Sequence, residues 1–157
     1  MTNVRRLGGA VLGLALLLSG GGCGAPKDPV RATLDGLVRA ADARDTGALF
    51  ERIAPGFSAA DGSSREEARA IVERYFAAYE ILDVRLEDVR IERGGTDAAR
   101  VRLRARMSGQ PRKIGGLEGI VPSSAAYDFD LRLTREGGAW RVAWAQWNPA
   151  GDGGRNE

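Results

Sequence analysis

From Tyr127 to Trp147 the chain alternates apolar and polar residues in two runs around a glycine turn. Tyr127, Phe129, Leu131 and Leu133 alternate with Asp128, Asp130, Arg132 and Thr134. That period of two marks a half-buried strand. Glu136-Gly137-Gly138 supplies turn residues that tolerate positive φ. The second run, Trp140 to Trp147, holds all three tryptophans of the chain. Trp140 and Val142 share one phase, and Ala145 and Trp147 share the other. A β-bulge around Ala143-Trp144 would bring those four to one face and turn Trp144 outward. A hairpin with this much aromatic and β-branched surface is not stable alone; its apolar face needs helices as cover.

The preceding residues read as that cover. Asp28 followed by Pro29 is a helix start, an acceptor at the N-cap and proline in the first turn. Val30, Leu34, Leu37, Val38 and Ala41 follow at helical spacing, and the helix is expected to end near Arg44. Asp45 can cap a short second helix carrying Leu49, Phe50 and Ile53, with Pro55-Gly56 as its stop. Phe57 to Ala60 reads as a short extended segment before an Asp61-Gly62 turn. Ser63 with Glu66, or Ser64 with Glu67, makes a capping box for a third helix. Its apolar stripe is Ala68, Ile71, Val72, Tyr75, Phe76 and Tyr79. Trp140 and Trp147 are expected to be buried against this helix.

Three strands complete the pattern. Leu82, Val84 and Leu86 alternate, then Val89 and Ile91 do so in the opposite phase, which predicts a bulge near Glu87-Asp88. After Gly94-Gly95, the residues Val101, Leu103, Ala105 and Met107 form one face of a strand and Arg100, Arg102, Arg104 and Arg106 the other. Such an arginine stripe suits an anionic partner. Asp128 and Asp130 on a neighbouring strand would instead absorb it in cross-strand ion pairs. Gly109 to Ala125 is longer than a hairpin connection needs, the length of a lid or of a plain insertion. Its glycines lack phosphate-loop spacing. The end, 149–157, is polar and glycine-rich and is expected to be disordered.

Met1 to Cys23 has a different design. Arg5 and Arg6 precede an apolar run, Leu7 to Leu18, then Ser19 and three glycines lead to Cys23. This is the layout of a signal peptide, residues 1–22, too short to span a membrane comfortably. A lone cysteine at its end resembles the lipobox of bacterial lipoproteins, although the third position before the cysteine, usually leucine, is Gly20 here. The resemblance implies cleavage before Cys23, acylation of Cys23, and a tether over 23–28. It also implies a location on the periplasmic face of the cell envelope; Gly24 after the cysteine points to the outer membrane. The other reading is a secreted protein cut near Gly24-Ala25.

Removing Arg5 and Arg6 leaves 21 basic against 21 acidic residues, so the mature chain offers no net positive charge for nucleic acid. The chain has no histidine. That removes the usual general base, the histidine-activated nucleophiles and every histidine-ligated metal site. The single cysteine excludes an intrachain disulfide. No catalytic residue, metal or cofactor is assigned.

The order α-α-β-α-β-β-β-β over residues 29–148 resembles the nuclear transport factor 2-like superfamily. The resemblance rests on Ala41-Asp42-Ala43-Arg44-Asp45 with Leu49, and on the closing run from Asp130 through Gly138-Ala139-Trp140-Arg141-Val142 to Ala145 and Trp147. It implies an α+β cone, three helices packed on a strongly bent antiparallel sheet. Members include ketosteroid isomerase, scytalone dehydratase and many non-enzymatic proteins, so the fold alone assigns no function. Isomerase chemistry needs a carboxylate base and an oxyanion hole in an apolar cavity. Here Asp128 and Asp130 alternate with apolar residues and should face outward. The expectation is a lipid-anchored, non-enzymatic cone that binds a small apolar ligand or a protein. The alternative is an isomerase- or dehydratase-like enzyme. Tyr75, Tyr79, Tyr127, Phe129 and Trp147 are the pocket candidates, and the exposed face of the sheet is where a homodimer would form.

Overall fold

In the computed structural model, residues 27–112 and 122–151 are described. The leader, Cys23 and most of the Gly109–Ala125 connection lie outside them. Helix α1, Pro29–Asp42, begins as the sequence implies, with the Asp28 carboxylate accepting from Val30 N at 2.8 Å. It buries Val30, Leu34, Gly36 and Ala40. Asp45 caps the short helix α2, Thr46–Phe50, accepting from Ala48 N at 2.9 Å. Between them Arg44 takes a left-handed φ of 53° and donates to Tyr79 O at 2.8 Å.

The next element corrects the sequence reading. Ile53 does not extend α2, and Pro55-Gly56 does not stop it. All three lie in strand β1, Ile53–Ala59. β1 sits at the sheet edge, where Pro55 can lack an N–H without breaking a ladder bond. It pairs in parallel with the last strand, Ile53 opposite Val142 and Ala59 opposite Ala145. The sheet is therefore mixed rather than wholly antiparallel.

Helix α3, Arg65–Ala78, carries the Ser64–Glu67 capping box, in which Ser64 N donates to the Glu67 carboxylate at 2.7 Å. Those bonds hold the Glu67 carboxyl below its usual range. The helix ends one residue before Tyr79, which opens β2 (Tyr79–Arg93) rather than closing the helical stripe. Strands β3 (Ala98–Pro111), β4 (Ser124–Glu136) and β5 (Ala139–Pro149) follow, so β5 runs one residue past the expected domain end. The sheet order is β1-β5-β4-β3-β2.

Both expected bulges are present. The β2–β3 register slips between Glu87 and Arg90, where Asp88 has a φ of 52°. In the β4–β5 pair Arg132 faces Trp144 while Leu133 faces Val142, so Ala143 is the extra residue. Bulges bend long strands and increase their twist, which curls this sheet around its apolar face. The main core lies inside the curl, with Val101, Leu133, Val142 and Trp140 packed with Val30, Leu34 and Phe50. Trp140 is buried in this core, which also takes in Ala68 and Val72 of α3, and it lies beside α1: the Thr33 hydroxyl reaches Trp140 O at 3.4 Å, and the Arg93 guanidinium lies 5.0 Å from its ring. No described helix is long and apolar enough to cross a membrane.

The outer face carries the arginine stripe in pairs. Arg104 holds Asp128 through two bonds of 2.8 and 3.1 Å, and Arg100 Nε donates to Asp130 at 2.9 Å. Arg102 and Arg106 turn the other way, to Glu92 and Glu87 of β2. Trp144 also lies on this face, beneath the Arg132 guanidinium at 4.5 Å.

Candidate functional site

A cavity of about 350 Å³ lies between the concave face of the sheet and the helices. Its existence follows from how the helices rest. α3 packs on α2, β1 and β2, while α1 lies on β2 and β5. Neither α1 nor α3 makes its main contacts with the inner strands β3 and β4. The inward positions of the sheet include Ala105 and Ala145, whose side chains are too short to fill the gap.

The described wall is apolar on every side. α1 and α3 contribute Leu34, Leu37, Ile71 and Val72, and the sheet contributes Leu103, Met107 and Leu131. An aromatic row crosses β4 and β5: Tyr127 and Phe129 have ring centroids 6.5 Å apart, and Phe129 and Trp147 are 6.3 Å apart. No charged side chain lines the cavity among the described residues; the Tyr75 and Tyr127 hydroxyls and the Trp147 indole are its hydrogen-bonding side chains.

Of the pocket candidates, Tyr75, Tyr127, Phe129 and Trp147 line the cavity, and Tyr79 does not. Tyr79 is 2 % exposed and stands behind Tyr75, the two rings 4.9 Å apart. Its hydroxyl donates to Pro122 O at 2.7 Å. Gly109 makes room for it. A Cβ at that position would meet Ile81 O at 2.4 Å and the Tyr79 ring at 2.9 Å. Sequence reasoning treated this glycine as part of the loop and missed its packing role.

The Tyr75 phenol is pushed well above its usual range, first by burial and then by the Tyr79 and Tyr127 phenols beside it. It therefore stays protonated and can donate a hydrogen bond. The carboxylates are elsewhere. Asp128 and Asp130 lie on the outer face, where Arg104 and Arg100 hold them below the usual range. Asp61 caps its own turn through Ser63 N at 2.9 Å, and Asp83 pairs with Arg85. The cavity thus has the shape and greasiness of a ligand site, with a donor but no described general base. A second, polar groove of about 530 Å³ on the outer face is lined by the paired Arg102, Arg104, Asp128 and Asp130, with Arg90, Gln146 and Asn148. Among the described residues no cluster of acidic or cysteine side chains is arranged to hold a metal ion.

No family model and no curated protein matches this sequence. Solved structures do. A candidate scytalone dehydratase of Novosphingobium aromaticivorans superposes with a TM-score of 0.66 at 10 % identity, over 78 % of this chain and 82 % of that one. A candidate dehydratase of the nuclear transport factor 2-like family from Streptomyces avermitilis gives 0.65 at 16 % identity, over 78 % and 94 %. A cystatin-like protein of unknown function from Nostoc punctiforme gives 0.60 at 11 % identity, over 79 % and 90 %. At these identities the likeness is one of fold. The chain has the α+β architecture of the nuclear transport factor 2-like, cystatin-like proteins, the fold that the sequence resemblance implies.

Proposed function

We propose that this chain is a lipid-anchored envelope protein whose cone binds a small apolar ligand without transforming it. The observation that carries the reading is the cavity wall: a hollow of about 350 Å³ with apolar side chains throughout and no described carboxylate, amine or guanidinium. A hollow cone favours a small ligand over a protein partner, since a protein-binding module gains nothing from an unfilled core. The anchor is Cys23, placed after an apolar run and three glycines. It would hold the domain at the periplasmic face of the outer membrane. The outer arginines spend their charge on Asp128, Asp130, Glu87 and Glu92, which argues against nucleic acid as a partner.

A dehydratase- or isomerase-like enzyme is the second reading. Two of the structural neighbours are described as candidate dehydratases, and Tyr75 offers a protonated donor inside the cavity. One experiment separates the two: a thermal-shift ligand screen run beside turnover assays on Δ5-3-ketosteroids and related enolisable substrates. Stabilisation by apolar ligands without turnover is the expected result. Turnover abolished by one Asp→Asn substitution would establish the enzyme. For the anchor, intact mass of membrane-extracted protein should give a chain beginning at Cys23 with acyl mass added; a soluble chain beginning at Ala25 or later would refute it.

A further inference from the structure

We propose that Tyr75 is the specificity-determining residue of the cavity: its hydroxyl donates to the one oxygen acceptor of a neutral apolar ligand, while the uncharged wall around it disfavours the anionic form of a similar skeleton. This inference rests on the ligand-binding reading above.

The described wall carries no charge. An anionic head group drawn into this cavity would meet no described cation, and an unpaired ionised group in an apolar site is strongly penalised. A pure hydrocarbon would leave the buried part of the tyrosine rim without a new partner. A ketone, ester or ether fits both constraints, since one acceptor can take one donor.

Tyr75 is that donor because of how its neighbours are committed. Tyr79 gives its proton to Pro122 O at 2.7 Å, so its oxygen is what it offers to Tyr75. A phenolic hydroxyl is a rotor with one proton. The Tyr75 proton can lie toward the Tyr79 oxygen in the empty cavity and swing to a ligand acceptor when one enters. Burial, which keeps the phenol protonated, preserves the donor across the physiological pH range. The Tyr79 ring, 2 % exposed and tilted against Tyr75 at 4.9 Å, backs the Tyr75 ring so that its hydroxyl stays at the wall. Tyr127 shares the wall but pairs by its ring with Phe129.

The test uses the full-length chain with 2-nonanone, nonanoate and butylbenzene as probes, each titrated by calorimetry at neutral pH. The expected order is 2-nonanone tighter than nonanoate by at least about tenfold, with butylbenzene binding measurably. Tyr75→Phe keeps the ring and removes the donor. It should weaken 2-nonanone by about 3- to 10-fold and leave butylbenzene within about twofold. The carbonyl stretch of bound 2-nonanone should move to lower frequency in the wild type and return toward its apolar-solvent value in Tyr75→Phe, a change that a merely structural role would not produce. Nonanoate binding as tightly as 2-nonanone, or an unchanged carbonyl stretch in Tyr75→Phe, overturns the assignment while leaving the ligand-binding reading intact. Failure of all three probes to bind overturns both.

Discussion

Replacing Trp140 and Trp144 separately by alanine tests the bulge at Ala143, because the bulge alone assigns them different fates. In an uninterrupted strand Trp140, Val142 and Trp144 would share one face, and both tryptophans would be core residues. With Ala143 inserted, Trp140 is 7 % exposed inside the curl, while Trp144 faces outward beneath Arg132. A tryptophan buries about 150–250 Å². At roughly 25 cal/mol per Å² that gives Trp140 about 4–6 kcal/mol, an upper estimate because the unfolded chain already hides some area. Measured large-to-alanine costs of about 3–5 kcal/mol agree. Trp144→Ala loses a partly exposed ring and a cation–π contact of about 0.5–1 kcal/mol, for a total of about 1–2 kcal/mol. For a domain of this size 1 kcal/mol moves the melting temperature by about 3–5 °C. Trp140→Ala should therefore fall by roughly 10–20 °C and Trp144→Ala by about 3–10 °C, read by differential scanning calorimetry. Equal losses, or a larger loss at Trp144, would refute the bulge and the face assignment together.

Gly109→Ala should lower stability by about 1–3 kcal/mol in urea titrations, because its Cβ would press on the Ile81 carbonyl and the Tyr79 ring; an unchanged midpoint would contradict the close approach. Ala105→Phe should fill the cavity and abolish ligand-induced thermal shifts while the apoprotein melts within about 5 °C of wild type, a loss near 1 kcal/mol. The outer ladder governs the acid limb. Asp128, Asp130 and Glu87 have carboxyls lowered by their arginines from ordinary values of 3.8 and 4.5, so the unfolded chain binds more protons in that window. Their stabilisation is complete above about pH 5 and is lost as pH falls below 4.5 and through the lowered folded values. Arg100→Gln with Arg104→Gln should flatten the urea-midpoint profile between pH 5 and 2.5 while changing pH 7 stability little, since these pairs are exposed.

What the sequence determined alone is local. Asp28-Pro29, Asp45 and Ser64-Glu67 start helices through bonds to backbone groups two or three residues away, so the capping pattern is enough to locate them. Strands β3 to β5, most of β2 and both bulges were legible for the same reason: a period-two pattern and its phase reversals are visible in the residues that make them. Tyr75, Tyr127, Phe129 and Trp147 fall on the inward phases of their elements, and the cavity lies along those phases. Contacts between distant segments left no such trace. Ile53-Ala54-Pro55-Gly56 reads as the end of a helix, and only the open edge of β5 makes it a parallel strand. Tyr79 keeps the helical spacing of Tyr75, yet pairing with Pro111 draws it into β2 and commits its hydroxyl to Pro122. Arg102 and Arg106 choose Glu92 and Glu87 because sheet order puts β2 on their side. The hollow itself belongs to the tertiary structure alone. It is set by where α3 comes to rest relative to Ala105 and Ala145, and an empty volume is a relation between elements that no single segment encodes.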